Sequence, residues 1–380
     1  MAIPSFITVI LQYREESEDL YLVYSPAAKG GKQSVQSRSV FWNGMKVSFV
    51  IIGTTIGAGY ASGREIWEFF ASYGRGSHFS IVLSMLLFAL SCYVIMTISH
   101  RLQSPHYGQV LEELLGKSLA KCYDVLIFFY LFSTTVVMFA GSGAILSYWN
   151  MSYWLGVWIT ALFVFIIFFR DVEVMTSLNS ILTPFMIGVL ILTCLVFLGH
   201  AFGQDELMAS GLTSYPSAIA FTSLNILPLV AILSVFGSKM KAAEIKIASI
   251  NSAVLLTAIS LLYNHSLMLV GDDILLYEVP LFSILRDFPP QLIAGVGLVL
   301  WLAIYTTAVS NVFGIVSRFK HVVSFPQWVV AGFFVLLVLP LTQFGFGNLI
   351  QFLYPLYGVL NLFLLMTILL YPLADRKKIR

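Results

Sequence analysis

Ten long apolar runs follow one another along the chain, at roughly 44–72, 77–101, 119–148, 153–169, 178–202, 215–238, 244–270, 291–317, 326–344 and 347–372. A hydrocarbon core of ~30 Å takes about 20 apolar residues to cross as a helix, so each run predicts a membrane-spanning helix. The last two are parted only by the turn Gly345-Phe346-Gly347. The stretch 271–290 carries Asp272, Asp273, Glu278, Arg286 and Asp287 and predicts the longest loop between late spans. Residues 1–40 have a different texture, with Glu15, Glu16, Glu18 and Asp19 followed by a Gly/Ser/Lys-rich run from Ser25 to Ser39. Their apolar patch, Ile7–Leu11, is too short to span and follows no basic residue, which argues against a secretory signal. They read as a disordered cytoplasmic extension, ahead of a membrane domain at 41–372 and a basic cytoplasmic tail at 373–380.

Composition sharpens this picture. The 380 residues are 58% hydrophobic and 11% charged, with a mean hydropathy of +0.88. Soluble domains carry about 25% charged residues, so the chain is a polytopic membrane protein. Its medium is the lipid bilayer, and no nucleic-acid partner is expected. The three cysteines, Cys92, Cys122 and Cys194, lie in or beside apolar runs and indicate no disulfide framework. No His pairs with another His or Cys at metal-ligand spacing, and neither a catalytic triad nor a P-loop is present. An enzyme is not expected, nor any cofactor.

The charges set the orientation. With the N-terminus inside, eighteen of the 21 Lys and Arg residues fall on inner segments, leaving only Arg64, Arg75 and Arg286 outside. Basic residues concentrate in cytoplasmic loops, and one missed helix would invert every later loop. Ten spans with both termini cytoplasmic is the expected arrangement.

The run Phe49–Phe70, FVIIGTTIGAGYASGREIWEFF, is apolar at its ends and polar in the middle. Gly53, Gly57, Gly59 and Gly63 fall within it, and each glycine lowers helix propensity by roughly 1 kcal/mol against alanine. Gly57-Ala58-Gly59 is therefore where the helix would unwind, freeing backbone groups for a ligand or ion. The same spacing also suits a small-residue packing face. Ten spans divide into two inverted fives, 41–205 and 206–372, and such a repeat predicts a second interruption in span six. There, Thr222, Ser223 and Asn225 precede Pro228, which removes a backbone donor; a simple proline kink is the alternative.

GTTIGAGYASGREIWEFFASYG resembles the start of the YkvI family of bacterial membrane proteins, within the amino acid–polyamine–organocation superfamily. The likeness covers about residues 41–372. It implies an all-α, LeuT-type fold of ten helices, a 5+5 inverted repeat with helices one and six broken. It further implies that Ala58 and Gly59 supply amides to a substrate carboxylate. A sodium site would use carbonyls of Gly53 and Ile56 in span one and of Ala303 in span eight, with the hydroxyls of Thr306 and Thr307. Such hydroxyls also commonly bond their own i−4 carbonyls. In this fold span three lines the central site, which makes Tyr130 and Thr134 candidates beside Ser223 and Asn225.

Arg64, Glu65 and Glu68 follow the break. Ionisable residues inside a membrane protein are functional candidates. Arg64 and Glu68 stand at i, i+4 and can pair, which leaves Glu65 as a gate or proton carrier; a salt-bridged collar at the outer vestibule is the competing reading. Trp149, Trp154 and Trp158 suit interfacial anchors. The expected function is secondary transport of a small solute, an amino acid first, coupled to sodium or protons. The alternative is a non-transporting ligand receptor of the same fold. A channel is third, because no ring of charges or carbonyls suggests a filter.

Overall fold

A computed structural model describes residues 31–103, 106–168, 173–200, 215–271, 273–319 and 325–375. Among these every regular element is an α- or 3-10 helix. Backbone polar groups have no water to bond in a bilayer, so helices that satisfy their own N–H and C=O groups are the expected solution.

Span one is divided into Gly31–Thr55, Ala58–Ala61 and Arg64–Phe69. A 3-10 segment, Ala71–Gly76, leads into span two, Ser77–Leu102. Span three, Tyr107–Tyr148, bends at Gly116 (φ 76°, ψ 164°), which sets apart a short lead-in helix. Spans four to eight are Tyr153–Ile167, Glu173–His200, Tyr215–Gly237, Ala242–Leu269 and Pro290–Phe319. Span nine is Gln327–Val338, extended by a 3-10 turn to Phe344, and span ten is Phe346–Leu360 with Leu362–Asp375. Eight of the ten contain a helix long and apolar enough to cross a membrane. The two others are the broken span one and span four, whose 15 residues reach roughly 22 Å at 1.5 Å each.

The packing separates two bodies. Spans one, two, six and seven pack on one another, and spans three, four, eight and nine form a second group. Exchanging span n with span n+5 maps most of these pairings onto each other: one–seven onto six–two, three–four onto eight–nine, and five–eight onto ten–three. The inverted repeat expected from ten spans is thus present in the packing. It is not perfect. Span ten packs along span six, whereas the mirror contact of span five is with the short turn Ala58–Ala61 of span one.

Span six departs from expectation. Its helix continues through Pro228 without interruption. A proline removes a single donor, and the flanking ladder holds; Asn225 Nδ2 adds a hydrogen bond to the Phe221 carbonyl at 3.0 Å. At the N-terminus, helix already begins at Gly31, ahead of the expected boundary at 41. The rest of the expected extension, and the tail beyond Asp375, lie outside the described residues.

The loop after span seven folds over one end of the bundle. Its Leu281 N–H donates to the Ser62 carbonyl at 2.9 Å, and Phe282 stacks on Tyr148 with centroids 4.2 Å apart.

Candidate functional site

Span one comes apart where its glycines cluster. Gly57 is extended (φ −85°, ψ −174°), and Gly63 adopts φ +84°, which L-residues rarely take. Before the break the Thr54 and Thr55 hydroxyls donate to the Val50 and Ile51 carbonyls. Beyond it, Ser62 Oγ donates to the Gly59 carbonyl at 2.7 Å and Tyr263 to the Ala61 carbonyl at 3.0 Å. Ala58 and Gly59 open the intervening turn, where N–H groups have no intrahelical acceptor. Both readings of the glycines hold at different positions. A Cβ on Gly57 would meet nothing within 4 Å, whereas one on Gly53 would stand 3.1 Å from Thr183 and one on Gly63 2.6 Å from the Tyr263 hydroxyl.

The break opens on a cavity of about 1610 Å³. Span one contributes Gly53, Ile56, Ala58, Gly59 and Glu65; span three Tyr130 and Thr134; span six Asn225; span eight Ala303, Thr306 and Thr307. Eleven residues from four spans thus line one cavity. The cavity continues to His106, Lys121, Asp124 and Arg318, on the side where span one begins and span eight ends. Ser223 is the exception among the binding candidates. It lies buried between spans six and ten, donating to the Gly358 carbonyl at 2.5 Å and the Ala220 carbonyl at 3.0 Å. Its hydroxyl thereby links spans six and ten.

Two wall residues escaped the sequence reading. Asn311 of span eight donates to Thr134 Oγ1 at 3.0 Å, bridging to span three. Its signal was a lone amide in an apolar span. Tyr354 of span ten also lines the cavity, and an aromatic among aromatics offered no signal. Thr306 and Thr307 donate to the Ala303 carbonyl at 3.1 and 2.8 Å. This is the helix-internal bonding that competes with ion binding, although each hydroxyl oxygen retains lone pairs.

The three charges after the break divide. Arg64 pairs with Glu68 at 2.7 Å, both side chains about one-seventh exposed, and its guanidinium lies 3.2–3.3 Å from a Cβ on Gly347. That is the pairing expected from their i, i+4 spacing. Glu65 is not part of it. It is 7% exposed, and its carboxylate folds back against Gly59 beside the Tyr354 hydroxyl.

No family model matches the chain. It is 43% identical over 336 residues to YyaD of Bacillus subtilis strain 168, an uncharacterized protein, covering 88% of this chain and 98% of that one. It is 26% identical over 326 residues to the membrane protein YkvI of the same organism, covering 83% and 92%. Among solved structures it is similar to MhsT in complex with L-phenylalanine, at 16% identity and TM-score 0.59, over 86% of this chain and 88% of that one. A manganese transporter of Eremococcus coleocola aligns at 14% identity and TM-score 0.51, over 91% and 77%. The chain belongs to the family of YyaD and YkvI, and its fold is LeuT-type.

Proposed function

We propose that the chain is a secondary transporter that moves a small zwitterionic solute, an amino acid, by alternating access around the break in span one. The observation that carries this reading is the opening of interrupted backbone into a cavity that runs from Gly59 to the ends of spans three and eight. Unwound helix at membrane depth is tolerated where it lines such a cavity. The described residues contain no group of three or more His, Cys, Asp or Glu able to hold a metal ion, which favours an organic solute over a divalent cation. The two bodies of helices give a physical route to alternation, one group rocking against the other.

The Lys/Arg distribution supports a cytoplasmic position for the open end of the cavity, and on that reading the conformation is inward-facing. Sodium is the proposed coupling ion, held by carbonyls of Gly53, Ile56 and Ala303 and hydroxyls of Thr306 and Thr307. Oxygen donors without a carboxylate suit a monovalent hard cation, and all five residues line the cavity.

The test is ligand-dependent stabilisation of the purified protein across the amino acids, with and without sodium. A ligand at 100 times its dissociation constant adds about 2.7 kcal/mol. Stabilisation that requires sodium and is lost in Thr307→Ala supports the reading. Equal stabilisation without sodium removes the sodium site, and binding without uptake into proteoliposomes replaces a transporter with a receptor.

A further inference from the structure

Glu65 is a candidate that the proposed transport cycle leaves without a task. Its side chain is more than nine-tenths buried yet stands on the cavity wall. Among the described residues it has no ion-pair partner. Its chain neighbour Arg64 is committed to Glu68 and packs against Gly347. The cavity's own cations, Lys121 and Arg318, sit at its far, terminal end, where Arg318 pairs with Asp124 at 3.1 Å. Tyr354 and Gly59 flank the carboxylate. Neither group supplies a positive charge. Asn225 also lines the cavity and spends its Nδ2 on the Phe221 carbonyl, which leaves Oδ1 as an acceptor.

A buried carboxylate without a countercharge is costly, and that cost falls when a cation enters beside it. We propose that Glu65 receives the cationic nitrogen of the solute, so that the site accepts ammonium-bearing molecules and refuses those whose only charge is a carboxylate. This rests on the reading of the cavity as a solute site and names the chemistry of that site. An ammonium offers three donors to a wall that presents a carboxylate and an amide oxygen. A solute bearing only a carboxylate would set a second negative charge next to Glu65, in surroundings where Coulomb repulsion is weakly screened.

Three probes of one shape separate the possibilities: phenethylamine, phenylalanine and 3-phenylpropanoate, with isopentylamine, leucine and 4-methylpentanoate as an aliphatic set. Binding is measured by calorimetry on the full-length protein in detergent at fixed pH, for wild type and Glu65→Gln. The expected result is that an amine or amino acid binds wild type, the matching acid does not, and Glu65→Gln weakens binding at least tenfold. If Glu65→Gln does not fold, the amine-against-acid comparison on wild type decides alone. Acid binding as tight as amine binding overturns the proposal, as does failure of every amine-bearing probe at millimolar concentration, or an unaltered Glu65→Gln. Acid binding that strengthens as pH falls, and loses that dependence in Glu65→Gln, also overturns it by making Glu65 a proton carrier. Glu65-dependent amine binding without uptake into proteoliposomes leaves this inference standing and removes the transport reading instead.

Discussion

Gly59 and Glu65 meet across the break in span one: a Cβ on Gly59 would collide with Glu65 Oε1 and stand 3.0 Å from the Tyr354 hydroxyl. A side chain at this position would displace the carboxylate that lies against the backbone. Gly59→Ala is expected to destabilise by about 1–3 kcal/mol, the usual range for overpacking, and to abolish ligand-induced stabilisation. Adding Glu65→Ala removes the colliding group, so the double variant should recover Tm without recovering binding. A double-mutant cycle that adds up without coupling would contradict this contact.

The glycines of the break are not equivalent. Gly63 holds φ +84° with Tyr263 close behind it, whereas a Cβ on Gly57 meets open space at an ordinary φ. A left-handed conformation costs an L-residue about 1–2 kcal/mol, to which the tyrosine contact adds. Gly63→Ala is expected to lower Tm clearly and Gly57→Ala far less. Thermal melts of the two variants in one detergent decide it, and equal losses would refute the assignment.

Arg64 and Glu68 form a poorly hydrated pair, and Arg64 Nε is buried with no hydrogen-bond partner. Removing one member of such a pair leaves a charge uncompensated. Glu68→Gln should cost about 1–3 kcal/mol, while Arg286→Ala, which breaks the exposed pair with Asp273, should leave Tm unchanged. A larger effect at Arg286 would show that the outer collar is not structural.

Ser310 lines the cavity and bonds the Thr306 carbonyl at 2.9 Å. With the exposed Cys122 changed to serine, Ser310→Cys should react with a membrane-impermeant thiol reagent in inside-out vesicles and resist it in right-side-out ones. An amino acid bound in the cavity should slow the labelling. Reaction from the opposite face would reverse either the orientation or the open side.

Much of the fold was legible in the chain itself, because the bilayer allows few solutions. Each apolar run had to be a helix, and the helices the chain forms are consistent with ten spans. The clustering of Gly53, Gly57, Gly59 and Gly63 located the break to within a residue, since weak helix propensity is a local property. Span six was misjudged for the complementary reason. Pro228 removes one hydrogen bond wherever it stands, but whether the helix parts there depends on what packs around it.

Glu65 marks the limit most clearly. Helical spacing joins Arg64 to Glu68 and says nothing about the residue between them. The path of the chain through Gly57 and Gly63 turns Glu65 toward Gly59 and Tyr354, the latter 289 positions away in numbering. Ser223, in the same way, was an apt polar residue at the apt depth until span ten took its hydroxyl. Spans, break and small-residue composition follow from local propensity and hydropathy, so the sequence determined them unaided. Which polar groups face the cavity is settled by rotation and packing of helices from both repeats, and only the tertiary structure decided that.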